Sequence, residues 1–144
     1  MTSSRRKGRE TVLQALYWTE SSGDPIEETL ENMSNRADLT QEVSEFAASL
    51  GKETWALRQE MDVLIESALE NWALDRISRI DRILLWMALT EIRSFADVPV
   101  KVSIDEAIEL AKVYSEEKAS GFINGILDAV VKREGMGDLG IAVE

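Results

Sequence analysis

Apolar positions along this chain recur at intervals of three and four, the spacing of helices that bury one face. Val12, Leu13, Leu16 and Tyr17 make the first stripe, and Ile26, Leu30 and Met33 make the second. Val43, Phe46, Ala47, Leu50, Leu57, Met61, Leu64 and Ala68 hold a helical phase across Gly51. That phase predicts one long helix from about Thr40 to Leu69, with Gly51 a tolerated weak point costing about 1 kcal/mol against alanine. The alternative is two helices broken at Gly51. Trp72, Leu74 and Ile77 read as a short bridge. In the next helix Ile80, Ile83, Leu84, Met87 and Ala88 form one face, and Leu85, Trp86, Leu89 and Ile92 cover much of the rest. A helix apolar nearly all round needs neighbours on most sides, so it is expected at the centre of the core. Ala107, Ile108, Leu110 and Ala111 mark a further helix, and Ile123, Ile126, Leu127, Val130 and Val131 the last.

The reading is an all-α fold of about seven helices in two small bundles forming one compact domain. The N-terminal bundle covers about 10–70 and the C-terminal bundle about 71–133. Residues 1–9 form a basic arm, and 134–144 a mobile tail containing Gly135, Met136 and Gly137. Helix starts are signalled by hydroxyls and acids: Asp24 before Pro25 with Glu27 closing a capping box, Thr40, Ser78 with Asp81, and Ser103 with Glu106. Of the last two, Ser103 is the better box, because the returning acid is a glutamate. Pro99 pushes Val98 out of the helical region and signals the end of the central helix.

Composition adds constraints. The 144 residues, 44% apolar and 30% charged, suffice for one ordinary domain. The N-terminus is basic but leads into an amphipathic segment rather than a short apolar run, and the central helix is too short and too charged at its start to span a membrane. A cytoplasmic protein is the expectation. The net charge of −11 is unevenly spread. Residues 1–9 carry four cations and no acid, residues 10–70 carry fourteen acids against three bases, and residues 71–133 carry ten acids against nine bases. Such a body repels a polyanion at long range, yet a short basic arm still binds one locally, because salt screens beyond about 8–10 Å.

Candidate chemistry follows from that layout. With no histidine and no cysteine, the commonest general bases, soft nucleophiles and transition-metal ligands are missing. No catalytic residue, metal site or cofactor is expected. Glu109 lies one turn from both Asp105 and Glu106, and the three read as a solvated face. Arg5, Arg6, Lys7 and Arg9 supply point charges and guanidinium forks for phosphate. Stepping back from Leu16 by three and four reaches Val12, Arg9 and Arg5, so two arginines continue the buried face. Cations at a helix N-terminus oppose its dipole at about 0.3–1 kcal/mol each, so the arm is expected to fray when free and to order on phosphate. A solvated basic tail is the alternative. Lys101 is a further charge or an ordinary surface lysine. Phe122 is a stacking surface for a base or part of the core. Asn124 reaches a base edge or the backbone of Gly121.

Three stretches carry a resemblance. Asn71 to Ile92, the run from Asp97 to Lys112, and Phe122-Ile123-Asn124-Gly125-Ile126-Leu127-Asp128 are together similar to the bacterial transcription antitermination factor family NusB. Arg9-Glu10-Thr11-Val12-Leu13-Gln14-Ala15-Leu16-Tyr17 resembles that family's N-terminus, and the likeness covers most of residues 5–133. The resemblance implies an all-helical fold of two bundles and binding of single-stranded boxA RNA in ribosomal RNA transcripts. It implies a heterodimer with the ribosomal protein NusE and a role in helping RNA polymerase pass terminators. On it, Arg5, Arg6, Lys7 and Arg9 are the RNA-contacting arm, with Lys101, Phe122 and Asn124 near the RNA surface. The partner surface matches Asp75 to Arg82, making Asp75 and Asp81 candidates, with Tyr17 a further one. The arm is shorter than in strongly basic members and the long helix is acidic, so NusE is expected to be needed for tight binding. Two other readings stand beside it. One is a homodimer with its RNA surface covered, favoured if Trp18 and Trp55 are exposed. The other is the NusB-like domain of an RNA cytosine methyltransferase, which would still be only a binding module.

Overall fold

The computed structural model describes residues 4–70 and 73–136. Trp72 of the expected bridge, Asn71 beside it, the first three residues of the arm and residues 137–144 of the tail lie outside the described residues. Among the described residues six α-helices follow one another: α1 (Ser4–Ser22), α2 (Ile26–Ala37), α3 (Gln41–Ala68), α4 (Arg79–Ser94), α5 (Val100–Tyr114) and α6 (Ala119–Glu134). A single 3₁₀ turn, Leu74–Arg76, precedes α4 and accounts for the seventh expected segment. It stays one turn because its bonds close over three residues, from the Arg76 N–H to the Ala73 carbonyl and from the Ile77 N–H to the Leu74 carbonyl. The chain divides into two compact units, Met1–Ala56 and Leu57–Glu144, with the division inside α3.

In the first unit α1 packs on α2. Val12, Leu13 and Leu16 are buried, as are Ile26 and Leu30. The Thr19 hydroxyl donates to the Thr29 hydroxyl at 3.0 Å within that contact. Pro25 is the N-cap of α2, and Asp24, the expected cap, stands one residue too early. Its carboxylate instead accepts from the Trp18 indole N–H at 2.9 Å. Thr40 caps α3 as expected, accepting from the Val43 N–H at 3.3 Å. The long helix runs unbroken, and Gly51 is more than a tolerated interruption. A Cβ there would lie 2.6 Å from Leu30 Cδ2, so the absent side chain is what lets Leu30 pack against α3.

In the second unit α4 is the centre, with α5 and α6 packed on it. Every residue from Ile83 to Ile92 is buried. Ser78 caps it, accepting from the Asp81 N–H at 3.2 Å. The C-terminal part of α3 is tied to α4 through Asp62, whose Oδ1 accepts from Arg82 Nε at 3.0 Å and from Trp86 Nε1 at 2.7 Å. Ser103 does not cap α5. The helix begins three residues earlier behind Pro99, which supplies the preset φ of an N-cap, and Ser103 is only 2% exposed. Its hydroxyl donates to Glu91 on α4 at 2.5 Å, so the expected cap is an interhelical hydrogen bond. α6 ends on Gly135 at φ 70°, with its N–H and that of Met136 returning to the Lys132 and Val131 carbonyls. Met136 is buried there.

Candidate nucleic-acid interface

The cationic arm is the first part of α1, helical from Ser4 onward. Its charges do not share one environment. Lys7 is exposed, Arg5 and Arg6 are half-buried, and Arg9 is only 5% exposed. The Arg5 guanidinium carbon lies 4.3 Å from the centroid of the Phe46 ring, and that of Arg9 lies 5.2 Å from it. The continuation of the buried face through Arg5 and Arg9 is therefore real, and its target is an aromatic ring on α3. Phe46 entered the sequence reading only as a core residue. Its phase in α3 gave no sign that cations would face it. Gly8 brings the two helices close, since a Cβ on it would lie 3.0 Å from Val43 Cγ1 and 3.4 Å from Phe46 Cδ2. The hydroxyl of Thr11 donates to the Lys7 carbonyl at 3.0 Å further along the same helix.

Tyr17 is 41% exposed and Trp18 is 50% exposed, side by side on α1. Trp55 is half-buried.

In the second unit an open groove of about 780 Å³ gathers residues from the start of α4, the end of α5 and the start of α6. Asp81 and Phe122 both line it, so the structure brings together a partner candidate and an RNA candidate. Arg76, Tyr114 and Lys118 line it as well. Sequence reasoning missed these three, because Arg76 is far along the chain from Tyr114 and Lys118 and only the fold brings them to one groove. Phe122 is half-buried, so part of its ring belongs to the core and part lines the groove. The Asp81 carboxylate accepts from the Ser115 hydroxyl at 2.6 Å, which joins the first turn of α4 to the end of α5. Asp75 stands on the 3₁₀ turn, exposed. Asn124 is exposed on α6. Lys101 is exposed in the first turn of α5, with its ammonium 3.4 Å from Asp105.

The NusB family model matches residues 6–132. The chain belongs to the NusB family. The NusB transcription antitermination protein of Salinibacter ruber is 44% identical over 131 residues, covering 90% of this chain and 81% of that protein. A T. maritima NusB structure superposes with a TM-score of 0.83 at 35% identity, over 92% of this chain and 93% of that one. A crystal structure of antitermination factors NusB and NusE in complex with dsRNA matches with a TM-score of 0.83 at 25% identity, over 92% and 99% of the two chains. The fold described above is thus shared with the T. maritima NusB structure and with the structure of NusB and NusE in complex with dsRNA. Among the described residues of this NusB-family chain, no helix is long and apolar enough to cross a membrane.

Proposed function

We propose that this chain is a non-catalytic RNA-binding adaptor of transcription antitermination. It acts in the cytoplasm with a NusE-type ribosomal protein on boxA-type RNA and helps RNA polymerase pass terminators. The observation that carries the reading is the concentration of cations at the start of α1, where Arg5, Arg6 and Lys7 stand in a first turn that holds no acid. Arginine presents planar donors that match phosphate two at a time, and every neutralised phosphate releases counterions. Arg9 supports this cluster from its buried position on Phe46.

The groove of the second unit supplies the remaining contacts. Phe122 offers a face for an unstacked base, with Lys118 and Arg76 near it for phosphate. Lys101 and Asn124 extend that RNA surface. Asp75 and Asp81 meet basic side chains of the NusE-type partner, with Tyr17 a further contact on the first unit. The complex of a related NusB with NusE and dsRNA supports both kinds of partner.

The test is a titration of boxA-type RNA, a scrambled RNA and a duplex of the boxA sequence, each with and without the partner. Tight binding to the single strand with the partner, weaker alone and steeply salt-dependent, is expected. No binding even with the partner present would overturn the reading. A homodimer is the second reading; of its two markers Trp18 is exposed, while Trp55 is half-buried and favours it less. Gel filtration over a concentration series separates the two, since only the dimer shifts with dilution.

A further inference from the structure

We infer that Phe46 is a positioning residue for the RNA-contacting arginines: it clamps the first turns of α1 to α3 and orders the Arg5 guanidinium before RNA arrives. The role rests on the RNA-binding reading above. Four cations and no acid at a helix start oppose the dipole, which by itself predicts a frayed end. The helix is nevertheless formed from Ser4. Two guanidinium carbons lie within the range of attraction to one ring, at 4.3 and 5.2 Å. Residues 5, 8 and 9 share a helical face, and the middle one is glycine.

Glycine is a poor helix former, yet a Cβ at position 8 would press on Val43 Cγ1 at 3.0 Å and lie in contact with the ring at 3.4 Å. Gly8 thus keeps the cations within reach of Phe46. The ring is 7% exposed and cannot serve as a base-stacking platform, so its part in recognition is indirect. Attraction to a ring face and hydrogen bonding to phosphate use different parts of a guanidinium, its π face and its N–H edge. The ring removes rotamer freedom that RNA binding would otherwise have to remove.

The experiment uses the full chain with its NusE-type partner and boxA-type RNA, comparing Phe46→Leu, Phe46→Tyr and Arg5→Ala, each checked for helicity by circular dichroism. Phe46→Leu keeps an apolar core and every charge. It is expected to weaken RNA binding about two- to fivefold, with the salt dependence unchanged. Phe46→Tyr restores affinity because the ring remains. Arg5→Ala lowers affinity and flattens the salt dependence together. In the unaltered chain, NMR is expected to show the Arg5 side-chain protons shifted upfield by the ring. That measurement decides the matter should Phe46→Leu fail to fold. Unchanged binding by Phe46→Leu, failure of Phe46→Tyr to restore it, or Arg5 protons at random-coil shifts would overturn the positioning role. If Arg5→Ala weakens binding while Phe46→Leu does not, that role alone falls. If the unaltered chain with its partner binds no RNA, the RNA-binding reading falls and the positioning role with it.

Discussion

Leu30 fills the space that a side chain on Gly51 would need, with its Cδ2 2.6 Å and its Cγ 3.2 Å from where that Cβ would stand. Leu30 is 2% exposed and has little room to retreat. Gly51→Ala gains about 1 kcal/mol of helix propensity and meets an overpacking cost of about 1–3 kcal/mol. The substitution is expected to destabilise the protein in urea unfolding. In a Leu30→Ala background the same change should become stabilising, and a double-mutant cycle reads the difference as coupling.

Asp62 serves two donors at once. Its Oδ2 stands 2.7 Å from Arg82 and its Oδ1 2.7 Å from the Trp86 indole, with the Asp62 side chain 17% exposed and that of Arg82 32%. Asp62→Ala leaves the indole N–H without this acceptor and the guanidinium without its two-pronged partner. A loss of about 2 kcal/mol is expected in chemical denaturation. Arg82→Lys should recover only part of the interaction, because an ammonium cannot reproduce the fork.

Thr54 and Thr90 are fully buried, and among the described residues neither hydroxyl meets a hydrogen-bond partner. An unsatisfied buried hydroxyl costs about 1–3 kcal/mol. Thr90→Val, which keeps the shape and removes the polar atom, is expected to raise stability by about 1 kcal/mol, and Thr54→Val likewise. Differential scanning calorimetry would check both as increases in Tm.

The bond from Ser103 to Glu91 joins α5 to α4 inside the second unit, with both residues about 2% exposed. Ser103→Ala removes one donor from a buried carboxylate and should cost about 1–3 kcal/mol. An N-cap loss would instead be typically about 1 kcal/mol and confined to the helix start. Hydrogen exchange separates the two, because loss of the interhelical bond lowers protection in α4 as well as α5.

For the arm, replacing Arg5, Arg6 and Lys7 by alanine should weaken RNA binding and reduce the slope of log K against log salt by about 0.7 per lost phosphate contact on a single strand. The fold should hold. Arg9→Ala is different, because its side chain is buried beside Phe46 and its removal should also lower Tm.

Local pattern carried much of this protein into view. The three-and-four spacing of apolar residues determined the helices, their faces and the central place of α4, because burial of one face is written into side-chain polarity. Ser78 and Thr40 were legible as caps, since capping is decided within four residues. The segregation of cations into residues 5–9 likewise needs no fold to be seen. Tertiary structure decided what distance along the chain conceals. It made Ser103 a partner of Glu91 rather than a cap, and made Gly51 a seat for Leu30 rather than a weak point. It divided four adjacent cations into exposed, half-buried and buried ones by setting Phe46 against two of them, and drew Asp81 and Phe122 into one groove. Each of these depends on which side chain of another helix arrives at that place, and packing alone fixes that.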